Sequence, residues 1–160
     1  MSSPASWNLE IESPVAAPRL FRAAVLDWHN LAPKLAPEIV VSAAPIEGNG
    51  DVGSVRQFNF SPALPFAYTK ERLDYVDHAK YETKQTLIEG GGIGVKLESA
   101  SSHIKFEPAS NGGCVCKVVA TYKLLPGATV GDEVAKAKDS ITKIIKTAEA
   151  YLLANPDAYV

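Results

Sequence analysis

The stretch EGNGDVGSV, residues 47–55, spaces Gly48, Gly50 and Gly53 as G-x-G-x-x-G. That spacing can bring a dinucleotide pyrophosphate against backbone N–H groups where a strand ends and a helix opens. Asp74 even follows about where a ribose-binding carboxylate would stand. The chemistry needs a helix next, and the sequence supplies a strand instead. Val55, Phe58 and Phe60 sit among Arg56, Gln57 and Asn59 with no helical stripe. A phosphate loop of the Walker type needs lysine after its last glycine, and this chain has Ser54. Glu47 and Asp51 would repel a phosphate. The stretch therefore reads as a glycine-rich hairpin connection in which Asn49 and Gly50 accept positive φ. Asp74 is a coincidence.

Other reactive side chains are few. His29, His78 and His103 fall on separate elements and suggest no acid–base pair. Cys114 and Cys116, two apart on a strand, share a face with Cα atoms roughly 6.5 Å apart, a strained span for a disulfide. No histidine cluster accompanies them, so no zinc site is expected, nor any other metal or cofactor. They read as reduced packing residues in a cytoplasmic protein. A net charge of −2 over 160 residues gives no global basic field for nucleic acid or an anionic membrane. The N-terminus lacks the pattern of a secretory signal, and no apolar run is long enough to span a bilayer.

The elements that must position any site follow from periodicity. Trp7, Leu9 and Ile11 alternate with Asn8, Glu10 and Glu12, which predicts a half-buried strand. Leu20, Phe21, Ala24, Val25 and Trp28 recur at helical spacing after Pro18, predicting a helix that ends near Asp27. A second short helix is expected over 29–35. Strands are predicted near 39–44, 55–60, 66–76, 80–87, 95–106 and 114–123. Val134, Ala137, Ile141, Ile144, Ile145, Ala148 and Leu152 form one stripe, predicting a helix over 130–153 that is about 35 Å long, with Asp132 as N-cap. Six successive strands with no helix between them imply antiparallel hairpins. The chain thus reads as one α+β domain, residues 1–160, with the long helix packed on the concave face of the sheet.

Three stretches carry a resemblance: IEGNGDVGSVRQFNF (46–60), VDH (76–78), and a signature running from GGGI (90–93) through Glu98 and Ser101 to NGGC (111–114), Lys117 and Tyr122. With the closing AEAYLLANPDAYV, the chain resembles the plant class-10 pathogenesis-related proteins, the family of the major birch pollen allergen. The resemblance implies a helix-grip fold: a seven-stranded curved antiparallel sheet wrapped around the long C-terminal helix, with two short helices in a V. It also implies a large, mostly apolar cavity that takes small hydrophobic ligands such as flavonoids, cytokinins or steroids, in a monomeric defence-related protein.

The inward faces are then expected to carry Phe58, Phe60, Phe66, Tyr68, Thr83, Gln85, Leu87, Ala100, Ser102, Ile104, Cys116 and Val118, with Lys138, Ile141 and Ile145 from the helix. A solid core would not accept Thr83, Gln85, Ser102 and Lys138 without partners, at roughly 1–3 kcal/mol each. A cavity holding water or ligand would, with Tyr68, Gln85, Ser102 and Lys138 orienting polar ligand groups. Two alternatives stay open. A ribonuclease, with RNA as partner, is implied through Glu98, Glu149 and Tyr151, with Gly48, Asn49, Gly50, Gly53, Ser54 and Arg56 at the phosphate. Glu149 and Tyr151, about 200° apart around a helix, do not easily share a cleft. A condensing synthase would need Lys138 or Tyr68 as acid or base.

Overall fold

The computed structural model describes residues 3–160. Met1 and Ser2, which the single-domain expectation includes, lie outside the described residues. The elements are β1 (Ala5–Ser13), α1 (Ala17–Phe21), α2 (Trp28–Leu35), β2 (Val40–Glu47), β3 (Val55–Phe60), β4 (Tyr68–Asp77), β5 (Glu82–Gly90), β6 (Leu97–Pro108), β7 (Cys114–Leu124) and α3 (Glu133–Ala154). All seven strands form one curved antiparallel sheet in the order β1-β7-β6-β5-β4-β3-β2. From β3 to β7 each strand pairs with its predecessor in sequence, as tight connections dictate. The long-range pairing is β1 on β7, with Ile11 opposite Cys116 and Ala5 opposite Tyr122.

The helical entry differs in detail from the sequence expectation. Pro18 starts α1, but the helix lasts only to Phe21. Arg22–Leu26 then winds as a π-helical turn, closed by Asp27 N–H on the Arg22 carbonyl at 2.8 Å. Such a turn leaves one residue out of the normal α register, and turns of this kind recur near functional sites. It lets α2 start afresh at Trp28, a residue earlier than expected. α3 begins at Glu133, three residues later than expected, and its N-cap Asp132 makes no side-chain cap; its carboxylate pairs with Lys136 at 3.2 Å instead.

Packing follows the apolar stripes. Ile145, Ala148 and Leu152 of α3 are buried against the sheet and the α1 side, with Ile141, Ile144 and Tyr151 partly covered. Phe21 is sealed, its ring 6.0 Å from both Phe106 and Tyr81 and 6.4 Å from His78. Each such side chain contributes roughly 1.5–3 kcal/mol by leaving water. Gly90, at φ +73°, is needed where β5 ends: a Cβ there would stand 2.1 Å from the Tyr68 carbonyl oxygen.

The chain's end is fastened across the helical entry. Arg19 donates to the carbonyls of Leu152 (3.2 Å), Asn155 (2.9 Å) and Ala158 (3.0 Å). Arg22 donates to the Tyr159 carbonyl at 3.3 Å, and the Tyr159 hydroxyl donates to the Asp27 carboxylate. Tyr159 holds φ at +59°, in the left-handed region that non-glycine residues rarely occupy.

Candidate functional site

Between the sheet, α2 and the middle of α3 lies a cavity of about 500 Å³. Its floor is Phe58 and Phe60 of β3, Thr69 and Glu71 of β4, Gln85 of β5, Ile104 of β6, and Cys116 and Val118 of β7. Register explains the set. Phe58 faces Thr69, and Ile104 faces both Thr83 and Val118, so these positions share one side of the pleat. Ile141, Ile144 and Ile145 form the roof, while Ala24 and Val25 of the π turn and Trp28 of α2 close one flank.

One cluster interrupts the apolar wall. Arg56, two residues before Phe58 on the same face, stacks its guanidinium 5.2 Å from the centre of that ring. Its Nη1 donates to the Val25 carbonyl at 2.7 Å and to His29 Nδ1 at 3.4 Å. Its Nε pairs with Glu71 at 3.4 Å, with side chains 19% and 25% exposed. An arginine has donors only, so His29 Nδ1 must present a lone pair and its ring must be neutral. Burial first, then the Arg56 charge, hold the His29 pKa below its ordinary value; Asp27 opposes them. Arg56 and Glu71 are thus a partly buried ion pair set into an apolar cavity wall.

Nine of the fifteen residues expected around a ligand line this cavity: Phe58, Phe60, Phe66, Gln85, Ile104, Cys116, Val118, Ile141 and Ile145. Six do not. Tyr68 opens β4 on the outer face, where its hydroxyl donates to Glu89 at 2.6 Å. The expected strand began at Phe66, but Phe66 lies in the preceding loop, its ring 5.6 Å from Phe60, and the alternation starts two residues later. Thr83 is fully buried and its hydroxyl has no partner among the described residues. Leu87, Ala100 and Ser102 share the inner face by register, Leu87 opposite Ala100 and Gln85 opposite Ser102, but lie outside the cavity lining. Lys138 stacks over Trp7, 6.0 Å from the ring centre, rather than pointing its amine into the cavity.

The nuclease set is dispersed. Glu98 pairs with Lys123 at 3.0 Å. Its neighbour Lys96 bonds to Glu133 at the start of α3. Glu149 lies sixteen residues further along that helix, about 24 Å away, where it accepts from Lys146 at 3.1 Å. Tyr151 is partly buried against the core. Around the glycine loop, positive φ falls on Gly48, Gly50 and Gly53 and not on Asn49. Several of the loop's N–H groups are already engaged: Gly50 donates to Ser54 Oγ (2.8 Å), Asp51 to Asn49 Oδ1 (3.2 Å), and Gly53 to the Leu73 carbonyl (2.7 Å). Arg56 turns away from this loop into the cavity wall. The cysteines are both free and buried. Burial pushes the Cys114 thiol up to about 11, with Glu149 adding to it, and the Cys116 thiol up to about 12. Among the described residues no helix is long and apolar enough to cross a membrane, and no cluster of metal-ligating side chains occurs.

The model of the pathogenesis-related protein Bet v 1 family matches residues 2–155. The chain belongs to this family. It is 57% identical to pathogenesis-related protein 1 of Asparagus officinalis, over 99% of both chains. It is 38% identical to the major pollen allergen Bet v 1-M/N of Betula pendula, over 96% of this chain and 97% of that protein. Among solved structures it resembles the crystal structure of Ara h 8.0201, with a TM-score of 0.83 at 33% identity, over 96% of this chain and all of that one. The Bet v 1 fold thus accounts for the sheet wrapped around α3. Glu71 and His29 were missed by the sequence reading. Glu71 follows Thr69 by two residues on β4, so only the correct phase of that strand reveals it; His29, next to Trp28, carried no signal.

Proposed function

We propose that this Bet v 1 family protein stores or carries a small, mostly apolar molecule in the cavity under α3, in a defence-related setting. The observation that carries the reading is an apolar cavity of about 500 Å³ with one ion pair in its wall. Ligand pockets typically measure about 300–1,000 Å³ and combine apolar walls with a few polar groups. Affinity comes from the aromatic and isoleucine walls at roughly 25 cal/mol per Å² of apolar surface covered. Orientation comes from Arg56, Glu71 and Gln85. No side-chain hydrogen bond within the described residues engages the Gln85 amide or the second Glu71 oxygen, so both can meet a polar ligand group. The names of the relatives support the defence setting. Two free thiols fit a reducing, cytoplasmic location. Flavonoids and cytokinins are the first ligands to try, since each joins flat apolar rings to a few polar groups.

The test is displacement of the fluorescent probe anilinonaphthalene sulfonate by a panel of flavonoids, cytokinins and steroids. Wild type should bind the probe and release it to at least one class. Glu71→Gln should weaken that ligand about tenfold, while the anionic probe, relieved of a carboxylate beside Arg56, binds at least as tightly as it does to wild type. Absence of probe binding, together with no ligand-induced rise in melting temperature, would sink the reading.

A further inference from the structure

Tyr159 grips the π turn at both ends. Its carbonyl takes the Arg22 guanidinium at the first residue of the turn. Its hydroxyl donates to the carboxylate of Asp27, the residue that closes the turn. Its backbone there stands at φ +59°, in the left-handed region that non-glycine residues rarely occupy. Arg19, one turn earlier, binds three carbonyls of the same tail segment. The other side of the turn faces the cavity: Ala24 and Val25 line it, and the Val25 carbonyl is held by Arg56 from within. The turn is thus a thin wall, pinned outside by the tail and inside by a cavity residue. Its backbone ladder is out of α register, so it does not continue the hydrogen-bonding of α1 or α2 on either side.

We propose that residues 155–160 act as a strap, with Tyr159 as its latch, that keeps the π turn closed and so sets how fast the cavity exchanges its contents. This rests on the cavity being a ligand site. The strap acts on kinetics, since no tail residue lines the cavity. Release of Tyr159 lets residues 22–27 swing away from Arg56 and opens the flank between α1 and α2. The groups facing the latch are Asp27, Arg22 and Arg19 from the helical entry, with His29 beside Asp27.

The experiment uses the full chain loaded with anilinonaphthalene sulfonate. Stopped-flow release is compared between wild type, Tyr159→Phe and Arg22→Gln, with Val160→Ser as a control at an exposed residue outside these contacts. Tyr159→Phe keeps the ring and loses only the bond to Asp27. Both latch variants should release the probe about tenfold faster, the effect of losing one hydrogen bond to a charged group. Equilibrium affinity should change less than twofold, because association speeds up in step. Hydrogen exchange should quicken at residues 22–27 and remain as in wild type across β3–β7. Unchanged release, or faster release accompanied by faster exchange throughout the sheet, would overturn the strap. If wild type binds no probe, the ligand-site reading fails by itself, and the exchange measurement then decides whether Tyr159 pins the turn: unaltered exchange at 22–27 in both variants refutes it.

Discussion

Raising the pH from 8 to 10 should remove about 2–3 kcal/mol of stability through Cys114 and Cys116 alone. An unfolded thiol ionises near 9.0, whereas the folded values are about 11 and about 12. Both side chains are sealed, at 2% and 0% exposure, so solvent screening does not discount the shift. Folded values above the unfolded one mean that the contribution is fully present below pH 9, falls as pH rises past 9, and is gone once pH has passed 11 to 12. At pH 10 the unfolded chain has released both protons and the folded chain keeps them. Each thiol then costs about 1.4 kcal/mol, against less than about 0.1 at pH 8. The assay is urea unfolding under reducing conditions at pH 8, 9 and 10, for wild type and for Cys114→Ala/Cys116→Ala. The double variant loses packing at every pH, but its stability should fall by about 2–3 kcal/mol less over this range. Parallel curves for the two chains would refute the argument. The same shifts leave about 100-fold and 1,000-fold less thiolate than an exposed thiol at pH 8, so an aromatic disulfide reagent should react with the folded chain correspondingly slowly.

Two further outcomes follow from positions described above. Gly90→Ala should destabilise the fold by about 3 kcal/mol or more in urea unfolding, because its Cβ would meet the Tyr68 carbonyl at 2.1 Å and its φ is +73°; a loss under about 1 kcal/mol would show that β4 and β5 part easily there. Glu149→Ala should leave any RNA cleavage by the purified protein unchanged, because Glu149 faces Lys146 and not a second acid–base group; a loss greater than about tenfold at unchanged melting temperature would restore the nuclease reading.

The sequence made the scaffold legible and the polar part of the site much less so. The α3 stripe was readable because isoleucines at helical spacing have one place to go, and the strand order because six alternating runs had no helix to cross over. Period two also put Gln85, Ile104, Cys116 and Val118 on the right face. It failed at Tyr68, where an aromatic in a loop, Phe66, looked like the first strand residue and moved the phase of β4 by one. That single slip hid Glu71 and promoted Tyr68, since alternate residues exchange faces. Arg56 was expected at a phosphate only through the ribonuclease alternative that the resemblance implied, and only the approach of Val25 and Phe58 shows that its guanidinium points inward. Lys138 sits on the flank of the stripe, where a cation can reach either the cavity or an aromatic edge; Trp7, more than 130 positions earlier in the chain, decides it. The π turn and the tail left no trace in periodicity, because both are held by arginines bonded to carbonyls, which any sequence supplies.

The pairing of β1 with β7 also sets the order in which this protein can be made. Hairpins β2–β3 through β6–β7 can close as each strand leaves the ribosome. The first strand must wait for residues 114–124 before Trp7, Leu9 and Ile11 find cover. The cavity stays roofless until α3 has followed, and its flank is pinned only when Tyr159 arrives. A nascent chain therefore carries an uncovered apolar strand until β7 emerges, and that strand is where a chaperone would be expected to bind.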